Sequence, residues 1–452
     1  MPLPEPEEKI SRLNLYRLVY GQELRSLLTA PALWLMLIIT SVLVGFSFTQ
    51  AVDLYAEASR TALNFPALAV GMNPLEGIFI PTFGGYYLVE TLLLPFVAIR
   101  LLALDKQSGA LKLLLQLPLS PFELCVLKLG AMVVVWFLSL LPAITVMVCW
   151  LKLGGHLYPP EIFGLLAGHA LYFFLVTALA MLAAAVTSSL PTAAMVCLAV
   201  TLGTWVLDFA ASGSSGLLSI LAHLAPGTIL REFENGLVPL SSGTLLLGFG
   251  VLFFLLAATW LHPGKKLTGR IVRSLLVILI IGGTVGFCRS TLSTTSFDLT
   301  ENRRYSFDPA TCAALARLDQ PLTITIHLAP EDGRRIDLEN DLLAKLRRAV
   351  PRLIVRYSEN SASGVLNPAA DDLYGLIEFS YNGRRDQGYS NSPEEVLPMI
   401  YRLAGIPAPT KKTGPAYPGY PLVASAQGCG LWFYLVWPLL FLGAGLRTRW
   451  KQ

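Results

Sequence analysis

Long apolar stretches separated by short polar segments dominate most of the chain. A helix needs about 20 mostly apolar residues to cross the hydrocarbon core of a bilayer, and stretches of this kind recur along the sequence. Their ends, marked by Pro, Gly and charged residues, predict eight spans at 30–48, 85–104, 127–151, 162–185, 191–209, 244–261, 271–287 and 430–446. The pattern therefore predicts an α-helical polytopic membrane protein.

The apolar pattern is interrupted between the seventh and eighth predicted spans. From residue 289 to residue 429, charged residues and prolines become frequent and long apolar stretches stop. The spacing of apolar residues predicts strands at 321–328, 353–357 and 376–381 and helices at 337–349 and 394–404. Asn382-Gly383 is typical of a tight turn and predicts a short returning strand. This order predicts a small α/β domain, followed by a linker at 406–420.

The composition favours a membrane protein and argues against several other classes. Hydrophobic residues make up 54% of the 452 residues and charged residues 14%, whereas a soluble domain has about 25% charged residues. A disordered chain, a collagen-like fibre and an ordinary soluble enzyme are therefore excluded. The formal net charge of +4 is too small to indicate a nucleic-acid partner.

The six cysteines do not define a disulfide scaffold in a chain of this length. No Cys-x-x-Cys or Cys/His metal spacing occurs. Cys312 is the clearest thiol of the predicted α/β domain. Cys288 and Cys429 flank that domain and could pair, and the sequence leaves this pairing open.

The distribution of Lys and Arg predicts the orientation. In short loops these residues favour the cytoplasmic side of a membrane. With eight spans, four basic segments fall on one side: Lys9, Arg12, Arg17 and Arg25; Arg100, Lys106, Lys112 and Lys128; Lys265, Lys266, Arg270 and Arg273; and Arg447, Arg449 and Lys451. The opposite loop at 51–83 has few of them. We therefore expect both termini in the cytoplasm, residues 289–429 outside it, and a location in the bacterial inner membrane.

The N-terminal segment does not resemble a cleavable signal peptide, because it begins with Glu5, Glu7 and Glu8 and its apolar stretch starts late. Residues 9–28 have the spacing of an amphipathic helix, which predicts a helix lying in the membrane interface. The alternative is a cytoplasmic tail that packs on another element. The chain then divides into 1–28, a six-span unit at 29–262, a basic loop and seventh span at 263–288, the domain and linker at 289–429, and the last span and tail at 430–452.

Three ionisable residues lie inside predicted spans: Glu90, His169 and Asp208. An ionisable group in a membrane is costly, so each suggests a functional role. They are scattered along the sequence and share no motif, which gives a proton relay little support. The alternative is that they bond neighbouring helices or reach interfacial water.

Motifs for catalysis are lacking. The phosphate-binding loop G-x-x-x-x-G-K-[ST], the G-x-S-x-G elbow and the H-E-x-x-H zinc motif do not occur. The chain is therefore not expected to be an enzyme or to hold a metal or cofactor. If ATP drives this protein, another chain hydrolyses it.

The segment 104–124, between the second and third spans, is the most informative part outside the membrane. Residues 107–116 can form a short amphipathic helix that ends before Pro118. Ser120 can cap a second helix, with Pro121 at its first position and Glu123 as its third residue. A short helix is therefore predicted to project between the two spans, although such a segment could also lie on the lipid surface.

This segment resembles the signature of type-2 ABC transporter permeases. An acidic residue, Asp105, and the run Ser108-Gly109-Ala110-Leu111 precede Leu-Pro-Leu-Ser-Pro at 117–121 and a span-entering helix with Lys128 and Gly130. The resemblance covers the first six spans. It implies a coupling helix that docks on an ATPase subunit and consists of Asp105, Lys106, Gln107, Ser108, Gly109, Ala110, Leu111, Lys112, Leu113, Leu114 and Leu115.

A second run, Phe297-Asp298-Leu299-Thr300-Glu301-Asn302, follows the seventh span. It resembles the start of the extracytoplasmic component of gliding-motility-type ABC systems, here fused to the permease and shorter than usual. The two resemblances imply two ATPase subunits that bind ATP and Mg, a second permease copy, the lipid bilayer and an extracytoplasmic partner as the partners of this chain.

Three functions are compatible with these sequence features. The first is an exporter-like ABC permease subunit. The second is an ABC complex that performs mechanical or assembly work on an extracytoplasmic partner through residues 289–427. The third is an ion-coupled secondary carrier, which predicts paired acidic groups near mid-membrane and broken helices, and the sequence shows neither clearly. A membrane-embedded enzyme is disfavoured because the sequence offers no catalytic constellation.

Overall fold

The computed structural model describes residues 11–210, 224–262, 264, 266–292, 295–329, 332–358, 373–409 and 417–450. Within these residues, eight helices are long and apolar enough to cross a membrane. In chain order, these spans are Pro31–Asn64, Leu75–Ser108, Pro121–Lys152, Pro159–Val186, Leu190–Leu207, Leu240–Trp260, Leu267–Thr291 and Gln427–Trp450. Their number and order confirm the predicted α-helical polytopic membrane protein.

The first two spans are longer than their apolar stretches. The first span continues past Phe48 to Asn64, because exposed polar residues such as Asp53 interrupt the apolar pattern but not the backbone hydrogen bonds. A four-residue helix, Pro66–Ala69, follows it. The second span begins ten residues before its predicted start at 85. It consists of the π-helical segment Leu75–Phe79 and the α-helical segments Ile80–Leu92 and Leu94–Ser108.

An N-terminal helix, Arg12–Leu28, precedes the first span. Its buried residues Val19 and Leu27 join the main apolar core, while Leu13 and Leu18 are exposed. The helix contacts the third span. The predicted amphipathic helix is therefore present from residue 12 and packs on the spans with one face, and residues 1–10 lie outside the described residues.

Hydrogen bonds bring the basic segments to one end of the helix bundle, which we call the basic end. The Thr448 hydroxyl near the end of the eighth span donates to the Leu28 carbonyl over 3.0 Å. The Lys106 ammonium at the end of the second span donates to the Ala185 carbonyl over 2.8 Å, near the end of the fourth span. Because the N-terminal helix also contacts the last segment of the second span, Leu94–Ser108, this helix and the three span ends lie together.

The eighth span packs against the first span. The Ser41 hydroxyl donates to the Phe433 carbonyl over 2.8 Å. A Cβ atom added to Gly45 would lie 2.2 Å from the Cβ atom of Phe433, so glycine permits this close approach. The eighth span is therefore packed into the bundle beside the first span.

The seventh span, by contrast, is peripheral. No residue of Leu267–Thr291 is buried. It contacts the sixth span, where the Trp260 indole N–H donates to the Ser274 hydroxyl over 3.2 Å. A bilayer would therefore cover most of the surface of this helix.

A four-stranded sheet follows the seventh span. Its strands are β3 (Leu322–Ile326), β4 (Leu353–Tyr357), β5 (Ile377–Tyr381) and β6 (Arg384–Gly388), in the order β4-β3-β5-β6. β3 and β4 are parallel, while β5 is antiparallel to β3 and β6. Asn382 and Gly383 both have positive φ, as a tight hairpin turn requires. The predicted strands and turn are confirmed within a few residues.

Helices cover one face of this sheet. They are Pro309–Leu315, the consecutive segments Gly333–Leu338, Glu339–Leu343 and Ala344–Ala349, and Pro393–Ala404. Inward-facing residues of the strands, such as Ile324 and Phe379, pack with Leu342 and Val396 from the helices. This core is separate from that of the spans, so the sheet and its helices have their own apolar interior.

A junction joins the sheet-bearing part to the spans. Strand β1 (Leu237–Pro239), just before the sixth span, pairs antiparallel with β2 (Ser296–Asp298), just after the seventh. His156 Nε2 lies 2.8 Å from Glu301 Oε2, and the Tyr420 hydroxyl donates to Glu301 Oε1 over 2.6 Å. The sheet-bearing part thus has its own apolar core and is joined to the spans by strand pairing and by these side-chain contacts. The sequence pattern missed β1 and β2 because each is only three residues long.

All six cysteines are free thiols. Cys288, Cys312 and Cys429 are each half-buried, and the suggested pair between Cys288 and Cys429 is not formed.

Candidate functional site

The predicted coupling segment is divided by Gly109. This residue has φ of +79°, which a right-handed helix cannot accommodate and which glycine adopts without steric cost. A single helix over 107–116 is therefore wrong. Asp105, Lys106, Gln107 and Ser108 end the second span, Ala110, Leu111, Lys112, Leu113 and Leu114 form a short loop helix, and Leu115 follows it.

The loop helix has a buried and an exposed face. Leu111 and Leu114 are buried against the main core, whereas Lys112 is exposed and Leu113 is 67% exposed. Leu113 and Lys112 therefore form the exposed face of the loop helix. The loop helix lies at the basic end, because Gly109 follows directly on the last turn of the second span.

A buried lysine holds three elements together behind this loop. Lys128, fully buried in the third span, donates to Glu23 Oε1 over 2.5 Å, to Asp105 Oδ2 over 2.5 Å and to the Leu101 carbonyl over 2.6 Å. All three ammonium protons are thereby satisfied. We call Lys128, Glu23 and Asp105 the basic-end brace. It links the N-terminal helix, the second span and the third span.

Burial and the neighbouring ammonium group act in opposite directions on the carboxyl group of Glu23 in the brace. Burial raises the pKa of Glu23, and the neighbouring Lys128 ammonium opposes this by favouring the carboxylate. Asp105 was predicted as part of a projecting helix, but it faces the third span instead. Glu23 was not predicted as a site residue, although an acidic residue within an amphipathic helix and a lysine within an apolar stretch are separate signals.

Two further contacts fix the ends of the neighbouring helices. Lys106 Nζ donates to three carbonyls at the end of the fourth span, those of Ala184, Ala185 and Thr187 at 3.3, 2.8 and 2.5 Å, where a cation complements the helix dipole. Ser120 and Glu123 form a reciprocal capping box at the start of the third span. The predicted cap and the position of Pro121 are confirmed.

A second polar cluster lies inside the bundle. His169 of the fourth span is fully buried, with Nδ1 2.8 Å from Glu90 Oε2 and Nε2 3.1 Å from Glu234 Oε1. Glu90 belongs to the second span, and Glu234 ends a short helix, Pro226–Glu234, that we call the pre-span helix. We call these three residues the buried triad. They connect three elements of the chain.

The triad is enclosed by aromatic rings. The ring centroids of Phe83 and Tyr86 lie 5.1 and 5.3 Å from that of His169. The Tyr86 hydroxyl is 2.6 Å from the Ser139 hydroxyl of the third span. Glu90 Oε1 has no hydrogen-bond partner among the described residues. The sequence placed Glu90 and His169 in separate spans without relating them, and the fold brings them into contact, as in the alternative that such residues bond neighbouring helices.

The third predicted polar residue, Asp208, has its side chain outside the described residues. Glu234 was not predicted, because it lies in a loop between the fifth and sixth apolar stretches. Its neighbours offer one signal, since Ile229, Leu230 and Phe233 have the spacing of an amphipathic helix that begins at Pro226.

A cavity of about 400 Å³ adjoins the triad. It lies between the second span, the fifth span and the pre-span helix, and its lining includes Tyr87, Trp205, Arg231 and Glu234. Glu234 thus reaches both His169 and the cavity. The two ring nitrogens of His169 face different carboxylates, and no group of three His, Cys, Asp or Glu residues suited to a metal ion occurs within the described ranges.

Eight helices that are long and apolar enough to cross a membrane indicate a multi-pass α-helical membrane protein. Comparison with models of protein families, with curated protein sequences and with solved structures gave no match.

Proposed function

We propose that the chain is the membrane-spanning permease subunit of an exporter-like ABC transporter, coupled to ATP hydrolysis by a separate ATPase subunit. The observation that supports this most is the loop helix at the basic end. It exposes Leu113 and Lys112 and follows the second span across the fixed bend at Gly109. Asp105, just before this bend, is held by Lys128.

The basic-end brace suggests how a movement of the loop helix would be transmitted to the spans. A force applied to the loop helix reaches Asp105 at the end of the second span, and Lys128 passes it to the third span and to Glu23 of the N-terminal helix. Buried ion pairs of this kind resist separation, because breaking one leaves an uncompensated charge. In this proposal, closure of the ATPase subunits tilts the second and third spans together.

The proposed assembly contains two ATPase subunits that bind ATP and Mg, and two permease copies in the lipid bilayer. The basic end faces the cytoplasm of a bacterial inner membrane, because Lys and Arg favour that side. Both termini then lie in the cytoplasm, and the sheet-bearing part lies outside it, where it can meet a partner.

A second candidate is an ABC complex that transmits force to an extracytoplasmic partner. The junction favours it, since β1 and β2 pair and Glu301 joins His156 and Tyr420. Through this junction, a tilt of the third or fourth span would displace the sheet-bearing part without any substrate crossing the membrane.

An ion-coupled carrier is supported by the buried triad, which pairs two acidic groups inside the bundle as that class predicts.

The deciding experiment is affinity purification of the tagged chain in mild detergent, followed by mass spectrometry. A stoichiometric ABC ATPase supports the ABC proposal. A well-folded preparation without an ATPase contradicts it and favours the ion-coupled carrier.

A matched pair of variants tests the docking surface. Leu113→Asp places a charge on the exposed face of the loop helix and should abolish co-purification of the ATPase. Tyr389→Asp is the control, because Tyr389 is 70% exposed and lies beyond β6, away from the loop helix. If both variants retain the ATPase equally, the loop helix is not the docking element.

A further inference from the structure

The imidazole of His169 determines how many protons the buried triad holds. Each ring nitrogen faces a carboxylate oxygen, and a neutral ring has only one N–H. Both contacts are hydrogen bonds when the ring carries two protons, or when the ring is neutral and the carboxyl facing its lone pair is protonated. Either arrangement holds the same number of protons and leaves a single net negative charge on the triad.

A net charge is unfavourable at this position. Glu90 is 3% exposed and His169 is fully buried, so water can solvate the charge only where Glu234 lines the cavity. One further proton, bound by a carboxylate oxygen, would neutralise the triad. Glu90 Oε1 is the available position, because it is buried and has no hydrogen-bond partner among the described residues.

Other titratable groups surround the triad. Tyr86 and Tyr87 face it from the second span, and Tyr172 faces it from the fourth span. Arg231, one turn before Glu234 on the pre-span helix, lines the same cavity. The third span contributes the hydroxyl of Ser139, which does not titrate in this range. The carboxyl groups are therefore the sites where one further proton would bind.

The pre-span helix packs on the fourth, fifth and sixth spans and contacts the triad through Glu234. A Cβ atom added to Gly168 would lie 2.5 Å from the Cβ atom of Phe233 and 3.1 Å from Leu230 Cδ1, so the pre-span helix lies directly on the fourth span. Glu234 adds the polar contact to His169. When the triad is charged, hydration of Glu234 from the cavity competes with that contact.

We propose that Glu90, His169 and Glu234 form a proton-binding site inside the bundle, which takes up one further proton through the cavity beside Glu234 and thereby holds the pre-span helix more firmly against the spans. This inference does not depend on an ATPase or on any substrate.

The test is infrared difference spectroscopy of the full chain in maltoside detergent, titrated between about pH 6 and pH 9, where exposed carboxyl groups stay ionised. Glutamate carrying ¹³C in its side-chain carboxyl group separates these signals from those of aspartate. We expect a protonated-carboxyl carbonyl band that grows as the pH falls, shifts with the label and disappears in Glu90→Gln. Glu57→Gln, which changes an exposed glutamate of the first span, should leave the band unchanged.

The wild-type chain alone can overturn the proposal, since a label-sensitive band that does not titrate in this range contradicts it even if every variant misfolds. A band that titrates but survives in Glu90→Gln and in Glu234→Gln also contradicts it, because the proton then binds elsewhere.

Hydrogen–deuterium exchange tests the effect on the pre-span helix. After correction for intrinsic exchange, the amides of Pro226–Glu234 should exchange several-fold more slowly at the acid end of the range in the wild-type chain. In Glu90→Gln, which imitates the protonated carboxyl, this pH dependence should vanish. An equal pH dependence in both chains would overturn the link between the proton and the pre-span helix.

Discussion

Lys128 shows how a charged residue is accommodated inside an apolar helix. Its ammonium group has an acceptor for each proton, and two of the acceptors are carboxylates from other elements. The desolvation cost of the three charges is offset only while all of them remain together. Lys128 is also part of the segment that resembles type-2 ABC permeases. In the structure it joins the N-terminal helix, the second span and the third span.

Lys128→Met should therefore be strongly destabilising, by about 3–5 kcal/mol, because Glu23 and Asp105 lose their buried counter-ion. Thermal unfolding in detergent measures the loss. Lys152→Met is the matched control at the other end of the same helix, where the side chain is exposed, and should change the melting temperature little. Equal effects of both substitutions would mean that the brace does not stabilise the chain.

Gly109 and Gly21 give opposite expectations for the same substitution. Gly109→Ala forces a Cβ atom into a left-handed conformation, at a cost of about 1–2 kcal/mol. Gly21 lies within the N-terminal helix with nothing within 4 Å of an added Cβ atom, so Gly21→Ala should stabilise by about 0.5–1 kcal/mol. Melting temperatures should move in opposite directions, and a shift of the same sign would contradict the assigned bend.

At the scale of elements, local signals predicted most of what the structure contains. The alternation in β3, the Asn382-Gly383 turn and the Ser120 cap depend on neighbours a few residues away, so the sequence displays them directly. The continuation of the first span to Asn64 was missed because hydropathy reports burial in lipid, whereas a helix needs only its backbone hydrogen bonds.

The candidate sites were less predictable. Glu90 and His169 are 79 residues apart in the sequence, and Glu234 follows 65 residues later. No local pattern relates three such positions, and only the packing of the second span, the fourth span and the pre-span helix brings them together. The bend at Gly109 was also missed, because the apolar spacing of Leu111 and Leu114 continues that of the preceding helix.

The capping box at the start of the third span offers a test at this scale. Ser120→Ala removes the acceptor of the Glu123 amide and should cost about 1 kcal/mol. Ser26→Ala, at an exposed position in the N-terminal helix, is the control and should be neutral or slightly stabilising. Thermal unfolding distinguishes them, and an undiminished melting temperature for Ser120→Ala would show that the cap is dispensable.

At the scale of the whole molecule, the junction determines how the sheet-bearing part is held. Glu301 is its centre, with His156 on one oxygen, Tyr420 on the other and its own amide donating to Glu161. Hydrogen bonding to Glu301 raises the pKa of Tyr420 to about 12. This interaction therefore contributes stability below the ordinary tyrosine pKa of about 10, and the contribution is lost as the pH rises through 12.

Glu301→Leu should remove these contacts, lower the pKa of Tyr420 towards its ordinary value and make the junction more accessible to protease. Ultraviolet titration of the phenolate, compared with Tyr420→Phe to identify the signal, measures the first effect. Glu395→Leu, an exposed position on the helix Pro393–Ala404, is the control and should change neither property. An unshifted Tyr420 titration would contradict the assigned hydrogen bond.

The contact between the first and eighth spans has a consequence for the order of assembly. During synthesis the first span is made long before Phe433. The surface around Ser41 and Gly45 therefore lacks its partner helix until the eighth span has been made. The bundle is therefore complete only after the sheet-bearing part, which precedes the eighth span in the sequence, has been synthesised. A chain that ends before the eighth span leaves this face of the first span uncovered by protein.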